Sequence, residues 1–318
     1  MLISIDGWGH STTSKGNGIS NAKTPEMSSM EKNNLHTKVE ASGYAVGLPK
    51  GLMGNSEVGH LTMGAGRVQF QDLERINAAI DEKTFFTNEV TLKAFAKAKQ
   101  GTGRVHFLGL ISDGGVHSHI NHLKSFLEMA KAERVPNCYV HFFADGRDTP
   151  PTSAPKYIEE LLAFFKQLAY PNNGVQLATI IGRFYAMDRD TRWERIKVAY
   201  EALCEGVGEV VATGAEGAVE TVLKRHAAGE KDEFLKPIIL HKDGLIKDDD
   251  VLIFIDFRSD RMREICETFG VKRNFETSVK RKVSLQLCAM TKYDETFPFP
   301  IIFPPQNMSN VLAEVCLF

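Results

Sequence analysis

Four times along the chain, a short run of β-branched or aromatic residues passes through a polar loop into a segment with helical spacing. Val105–Ile111 leads through Ser112-Asp113-Gly114-Gly115-Val116-His117 to Asn121–Ala132, where Leu123, Phe126, Leu127 and Ala130 fall three and four apart. Tyr139–Ala144 leads through Asp145-Gly146-Arg147-Asp148-Thr149-Pro150-Pro151 to Ala154–Leu168. Val175–Ile181 leads through Gly182–Asp190 to a helix carrying Trp193, Ile196, Ala199 and Leu203, and Val251–Phe257 leads through Arg258-Ser259-Asp260-Arg261 to Met262–Phe269. Strands alternating with amphipathic helices predict a parallel sheet in an α/β fold. Ligands of such sheets sit beyond the carboxyl ends of the strands, so these loops should lie along one edge and face one pocket.

Length and composition narrow the remaining possibilities. A chain of 318 residues suggests two domains at roughly 150 residues each. A net charge of −2 argues against a dedicated nucleic-acid binder, which shows a basic excess or stripe. Cysteines 138, 204, 266, 288 and 316 form no C-x-x-C pair and read as thiols of a reducing compartment. The longest apolar stretches fall far short of the ~20 residues needed to span a bilayer, and the amino terminus lacks the pattern of a secretory signal, so the cytoplasm is expected.

The arginines are the most informative polar residues. Arg147, Arg183, Arg189, Arg258 and Arg261 all occupy strand-to-helix loops or first helical turns, with Asp148 beside Arg147. A guanidinium is a planar fork matched to carboxylate and phosphate oxygens, so several converging on one cleft would bind a small molecule bearing both groups. Asp148, held near a hydroxyl, could act as a general base. His117, His119 and His122 all fall where a loop enters a helix and lack the pattern of a metal site. The expectation is that His117 hydrogen-bonds an anionic ligand while His119 and His122 cap and pack.

The first 68 or so residues differ in composition: a short strand Leu2–Ile5, the loop Asp6-Gly7-Trp8-Gly9, a Ser-, Thr-, Asn- and Gly-rich passage, then Gly51-Leu52-Met53-Gly54-Asn55-Ser56-Glu57-Val58-Gly59-His60. Asp6 stands where a metal-ligating carboxylate often sits, or begins an ordinary Asp-Gly turn. Ser56 is either a hydroxyl presented at a helix start, where phosphate is favoured, or a helix cap. Lys247-Asp248-Asp249-Asp250 reads as a solvated loop, the proline-dense 297–305 as a linker, and Ser309 as the cap of a helix beginning at Asn310.

Taken together, Asp6-Gly7-Trp8-Gly9, Gly51–His60, Ser112–His119, Asp145-Gly146-Arg147-Asp148 and Phe257-Arg258-Ser259-Asp260-Arg261 make the chain similar, from its first residue to about Asn310, to the cofactor-independent (2,3-bisphosphoglycerate-independent) phosphoglycerate mutases. The resemblance implies an α/β architecture: an alkaline-phosphatase-like domain, incomplete here, with an inserted α/β phosphotransferase domain. It divides the chain into 1–70, the first segment of the phosphatase-like domain; 71–304, the inserted substrate-binding domain; and 305–318, the start of the returning segment. It further implies interconversion of 3-phosphoglycerate and 2-phosphoglycerate in glycolysis and gluconeogenesis, through a phosphoserine intermediate and two divalent ions, Mn2+ or Mg2+. Asp6 and Ser56 would be metal ligands, Ser56 also the nucleophile. Asp148 would exchange the proton of the accepting hydroxyl, and His117, Arg147, Asp148, Arg183, Arg189, Arg258 and Arg261 would bind substrate. A cytoplasmic monomer whose partner is a small molecule, with neither nucleic acid nor membrane, is implied.

The sequence departs from the family in lacking the carboxyl-terminal histidines, aspartates and lysine that complete the metal and substrate sites. The expectation is therefore a truncated chain that holds the two metals incompletely and turns over little substrate. A noncatalytic phosphoglycerate-binding fragment and a metal-dependent phosphatase of the same superfamily are the alternatives.

Overall fold

Alternation along the strands builds a three-layer core. In β1 (Arg104–Leu110) Val105 and Phe107 face one hydrophobic cluster while Leu108 and Leu110 face another. The central strands are thus buried on both faces, as a parallel sheet covered by helices requires. The computed structural model describes residues 3–5 and 8–316. It divides into two units, Met1–Gln71 with Met308–Phe318, and Asp72–Asn307.

In the unit Asp72–Asn307, β1 is joined by β2 (Asn137–Ala144), β3 (Val175–Gly182), β4 (Glu209–Val210), β5 (Ile238–Ile239), β6 (Val251–Phe254) and β7 (Gln286–Ala289) in one sheet of order β4-β5-β3-β2-β1-β6-β7. The pairings are parallel apart from β3 with β5. Helices Glu89–Gln100, Ile120–Ala132, Ala154–Leu168 and Ala218–Ala227 contribute to the first cluster, Trp193–Glu205 and Arg263–Gly270 to the second. The α/β expectation holds. β6 is shorter than the apolar run because Asp256 turns away from the ladder to accept the Leu110 N–H.

Three local expectations are corrected in this unit and its flank. Lys247–Asp250 is not simply a solvated loop, since Asp250 is fully buried and paired with Arg104 (3.0 Å) and His106 (2.9 Å), partners far away in sequence. The proline-dense segment is more than a linker: Ala289 N–H donates to the Pro300 carbonyl, Ile302 N–H to the Ala289 carbonyl, and the Phe303 ring lies tilted beside Phe85. Prolines are tolerated because this segment runs along a sheet edge, where one row of N–H groups needs no partner. The last helix spans Leu312–Val315, with Val311 rather than Ser309 at its N-cap, because the Glu314 carboxylate reaches back to the N–H groups of Asn310 and Val311.

The other unit contains helices Gly18–Asn21, Pro25–Asn33, Ser56–Ala65 and Leu312–Val315, with a small cluster of Val46, Leu48 and Val58. Of the expected strand Leu2–Ile5, Leu2 lies outside the described residues, and Ile3–Ile5 are exposed and not in a strand. A strand needs a ladder partner, and among the described residues the strands of the sheet all belong to the other unit.

Candidate functional site

The order of the sheet reverses between β1 and β6, since β2 and β3 extend to one side of β1 and β6 and β7 to the other. That puts a topological switch point at the carboxyl ends of β1 and β6, the place where open α/β sheets bind ligands. Backbone bonds brace it: Phe257 N–H (2.8 Å) and Arg258 N–H (3.3 Å) both donate to the His117 carbonyl.

The sequence-selected residues of this unit meet there. Arg183, at the end of β3 and 2% exposed, bonds through Nη1 to Asp145 Oδ1 at 2.7 Å and Asp148 Oδ2 at 2.6 Å. His117 Nε2 lies 3.8 Å from Asp148 Oδ2, and its Nδ1 lies 3.9 Å from Asp260 Oδ1. Asp260 accepts from Arg189 Nη1 (2.6 Å), Arg258 Nε (3.0 Å) and Arg258 Nη2 (3.2 Å). Arg261 Nη1 donates to the Met187 carbonyl at 2.9 Å, and Arg147, largely exposed, stands 3.7 Å from Glu233.

The electrostatics follow from this crowding. Burial, then the positive charges of Arg183, Arg189 and Arg147, lower the Arg261 guanidinium from its ordinary value. Burial and then Arg183 push His117 down to about 4 against the pull of Asp148 and Asp260, so at neutral pH the imidazole is uncharged. One ring nitrogen then donates and the other accepts. Burial alone would raise Asp260, but Arg189 and Arg258 outweigh it and hold its carboxyl below the usual range.

Several carboxylates that organise this cluster were not singled out from sequence. Asp145, buried at the end of β2, accepts from the Ser112 hydroxyl (2.7 Å), the N–H groups of Arg147 (3.1 Å) and Asp148 (2.9 Å), and Arg183. It thereby ties the loops after β1 and β2 to the end of β3. Asp256 is buried beneath them, and burial, with Asp145 and Asp260 nearby, raises its carboxyl well above the usual range. Gly109 gives it room, because an added Cβ would lie 2.4 Å from Asp256 Oδ1. Asp188 accepts from the N–H groups of Asp190 and Arg192 and from Arg195, shaping the loop that carries Arg189. Glu264 accepts the Thr191 N–H at 2.8 Å in the same loop. The available signal was an acidic residue set in or directly after an apolar run, as at Asp145 and Asp256. Such a carboxyl is buried only when paired or hydrogen-bonded.

His119 and His122 cap and pack. His119 is the N-cap of Ile120–Ala132, its ring accepting the Asn121 N–H, and the buried His122 bonds to Asn77 Oδ1 at 2.9 Å. Ser56 belongs to the other unit and is the first residue of its helix, after the N-cap Asn55. Its exposed hydroxyl lies 3.2 Å from His60 Nδ1. Asp6 lies outside the described residues.

The family description "BPG-independent PGAM N-terminus" matches residues 76–295, which include this cluster. The chain belongs to the bisphosphoglycerate-independent phosphoglycerate mutase family. Among the relatives of this family, the 2,3-bisphosphoglycerate-independent phosphoglycerate mutase of Onchocerca volvulus is 51% identical over 315 residues, covering 98% of this chain and 60% of the relative. The enzyme of that name numbered 1 from Methanosarcina barkeri is 46% identical over 321 residues, covering 99% and 60%. A crystal structure of Leishmania mexicana phosphoglycerate mutase at low cobalt concentration superposes with a TM-score of 0.71 at 30% identity, covering 92% of this chain and 55% of that one. The chain thus spans about 60% of the length of the curated relatives it matches.

Proposed function

We propose that the unit Asp72–Asn307 is the phosphoglycerate-binding part of a mutase that interconverts 3-phosphoglycerate and 2-phosphoglycerate. The observation that carries this reading is the gathering of Arg183, Arg189, Arg258 and Arg261 with His117 and Asp148 at the carboxyl ends of β1, β3 and β6 and of β2 between them. A phosphoglycerate carries a phosphate and a carboxylate on one small skeleton, and planar guanidinium forks from separate loops match both groups. Neutral His117 can donate to a ligand oxygen without adding to the crowded positive charge. Asp148, fixed by Arg183 on one oxygen, is the carboxylate placed to exchange a proton with a glycerate hydroxyl.

Asp6 and Ser56 are the metal ligands the family resemblance implies, with Mn2+ or Mg2+ as the ions and Ser56 as the nucleophile. Among the described residues no three His, Cys, Asp or Glu side chains come together as a metal cage, and Ser56 Oγ is engaged with His60. These donors do not by themselves fit a pair of divalent ions. We place the protein in the cytoplasm. Cys138, Cys204, Cys266 and Cys288 are buried free thiols, and among the described residues no helix is long and apolar enough to cross a membrane.

The test is calorimetric titration of the 318-residue chain with 3-phosphoglycerate, beside Arg258→Ala. Binding by the wild type, weakened in the variant, is the expected result. No heat from the wild type at ligand concentrations that saturate a full-length relative would overturn the reading.

A further inference from the structure

Asp260 stands apart from the other carboxylates of the cluster. Asp145 and Asp148 serve the buried Arg183, and Asp145 also holds backbone N–H groups. Asp260 instead bonds to Arg189 and Arg258, whose side chains are 41% and 47% exposed. Both of its oxygens are used: Oδ2 by Arg189 Nη1 and Arg258 Nη2, Oδ1 by Arg258 Nε. Oδ1 also faces His117 Nδ1, a buried atom that has no hydrogen-bond partner among the described residues. The space between these two guanidiniums therefore already fits a carboxylate. Arg147 and Arg261 differ, the first held loosely by Glu233 and the second donating to a carbonyl.

We propose that Asp260 is a built-in competing anion of the site: a ligand carboxylate has to take over Arg189 and Arg258 from it. Where that ligand is phosphoglycerate, the inference rests on the function proposed above. The exchange is cheap because partly exposed ion pairs contribute little net stability. The cost falls on the carboxylate alone, so it is the same for glycerate and for 3-phosphoglycerate and is absent for a ligand that leaves Arg189 and Arg258 to Asp260.

The experiment is titration of the 318-residue chain and of Asp260→Asn with three probes: glycerate, inorganic phosphate and 3-phosphoglycerate. Neutralising the competitor should raise affinity for glycerate and for 3-phosphoglycerate by roughly tenfold, with phosphate changing by less than about threefold. Asp260→Ser, which removes the acceptor geometry as well, should shift affinities in the same direction. Unchanged circular dichroism and thermal midpoint establish that both variants fold. If Asp260 only braces the arginines, both variants bind glycerate and 3-phosphoglycerate more weakly; that result, equal affinities, or no binding of any probe to either protein overturns the proposal. Wild-type chain that ignores 3-phosphoglycerate while Asp260→Asn gains glycerate binding would defeat the phosphoglycerate reading and leave the competing anion standing.

Discussion

His122 offers a sharp test of how the platform beneath the site is held together. Its ring is fully buried in helix Ile120–Ala132, bonded through Nε2 to Asn77 and packed near Phe257, the residue preceding Arg258. Burial, followed by the neighbouring His119, pushes it down to about 3. In the unfolded chain a histidine titrates near 6.5, and each unit of difference is worth about 1.36 kcal/mol. The folded value is the depressed one, so the contribution of this group is fully present above the unfolded value and is lost as pH falls toward the folded one. At pH 5 the unfolded state has bound the proton and the folded state has not. The loss is then about 1.5 × 1.36, or about 2 kcal/mol, for any folded value below about 4.

Replacing His122 by Gln removes this proton while leaving an amide able to donate to Asn77. At pH 7.5 the variant should be less stable by about 1–2 kcal/mol through lost packing. At pH 5 the difference should shrink by about 2 kcal/mol, so that the variant equals or exceeds wild type. Subtracting variant from wild type cancels the groups of opposite sign, such as Asp256 and Glu264, whose raised carboxyls bind protons more readily in the folded state. Urea unfolding at the two pH values measures the difference, followed by the fluorescence of Trp193 in a Trp8→Phe background so that only the unit Asp72–Asn307 reports. A stability difference that stays constant to within about 0.5 kcal/mol between pH 7.5 and pH 5 would refute the reasoning, because it would mean that folding does not discriminate the two protonation states of His122.

Two further outcomes follow from contacts at the end of β3. Arg183→Met leaves the buried Asp145 without its cation and should cost about 3–5 kcal/mol in urea unfolding, part of which Asp145→Asn in the same chain should restore; a double variant no more stable than the single one would contradict the pairing. Gly182→Ala places a methyl group 2.5 Å from the Glu233 carbonyl oxygen and 2.6 Å from the Leu235 nitrogen, so the end of β3 must shift, with a loss of at least about 2 kcal/mol and weaker 3-phosphoglycerate binding; a variant as stable as wild type would show that the strand end yields freely.

The strand-loop-helix units were legible because period-2 and helical spacing are local signals, and the arginines were legible because the parallel sheet fixes which loops share an edge. Tyr139–Ala144 and Ala154–Leu168 needed only their own residues to be read. What the local pattern did not carry is pairing across long separations. Asp145 reads as the start of a turn until Ser112 and Arg183 are brought to it from other strands. Phe303 reads as part of a linker until the edge of the sheet and Phe85 receive it.

Asp250 shows why such partners matter for the sheet as well as for the site. Across the middle of the sheet His106 Nε2 faces Asp250 Oδ2 at 2.9 Å, His106 Nδ1 faces His141 Nε2 at 2.9 Å, and His141 Nδ1 faces Thr179 Oγ1 at 3.0 Å. The carboxylate can only accept, so His106 carries its proton on Nε2 and must accept on Nδ1. His141 then donates from Nε2 and accepts from the Thr179 hydroxyl, leaving both rings neutral with every ring nitrogen satisfied. Burial, acting first, lowers both histidines and favours the same state. A loop that reads as solvent-exposed thus supplies the anion that sets the direction of a hydrogen-bonded chain through β1, β2 and β3. The strands whose ends carry His117, Asp148 and Arg183 are locked together by a polar row whose pattern is fixed from one side by Asp250.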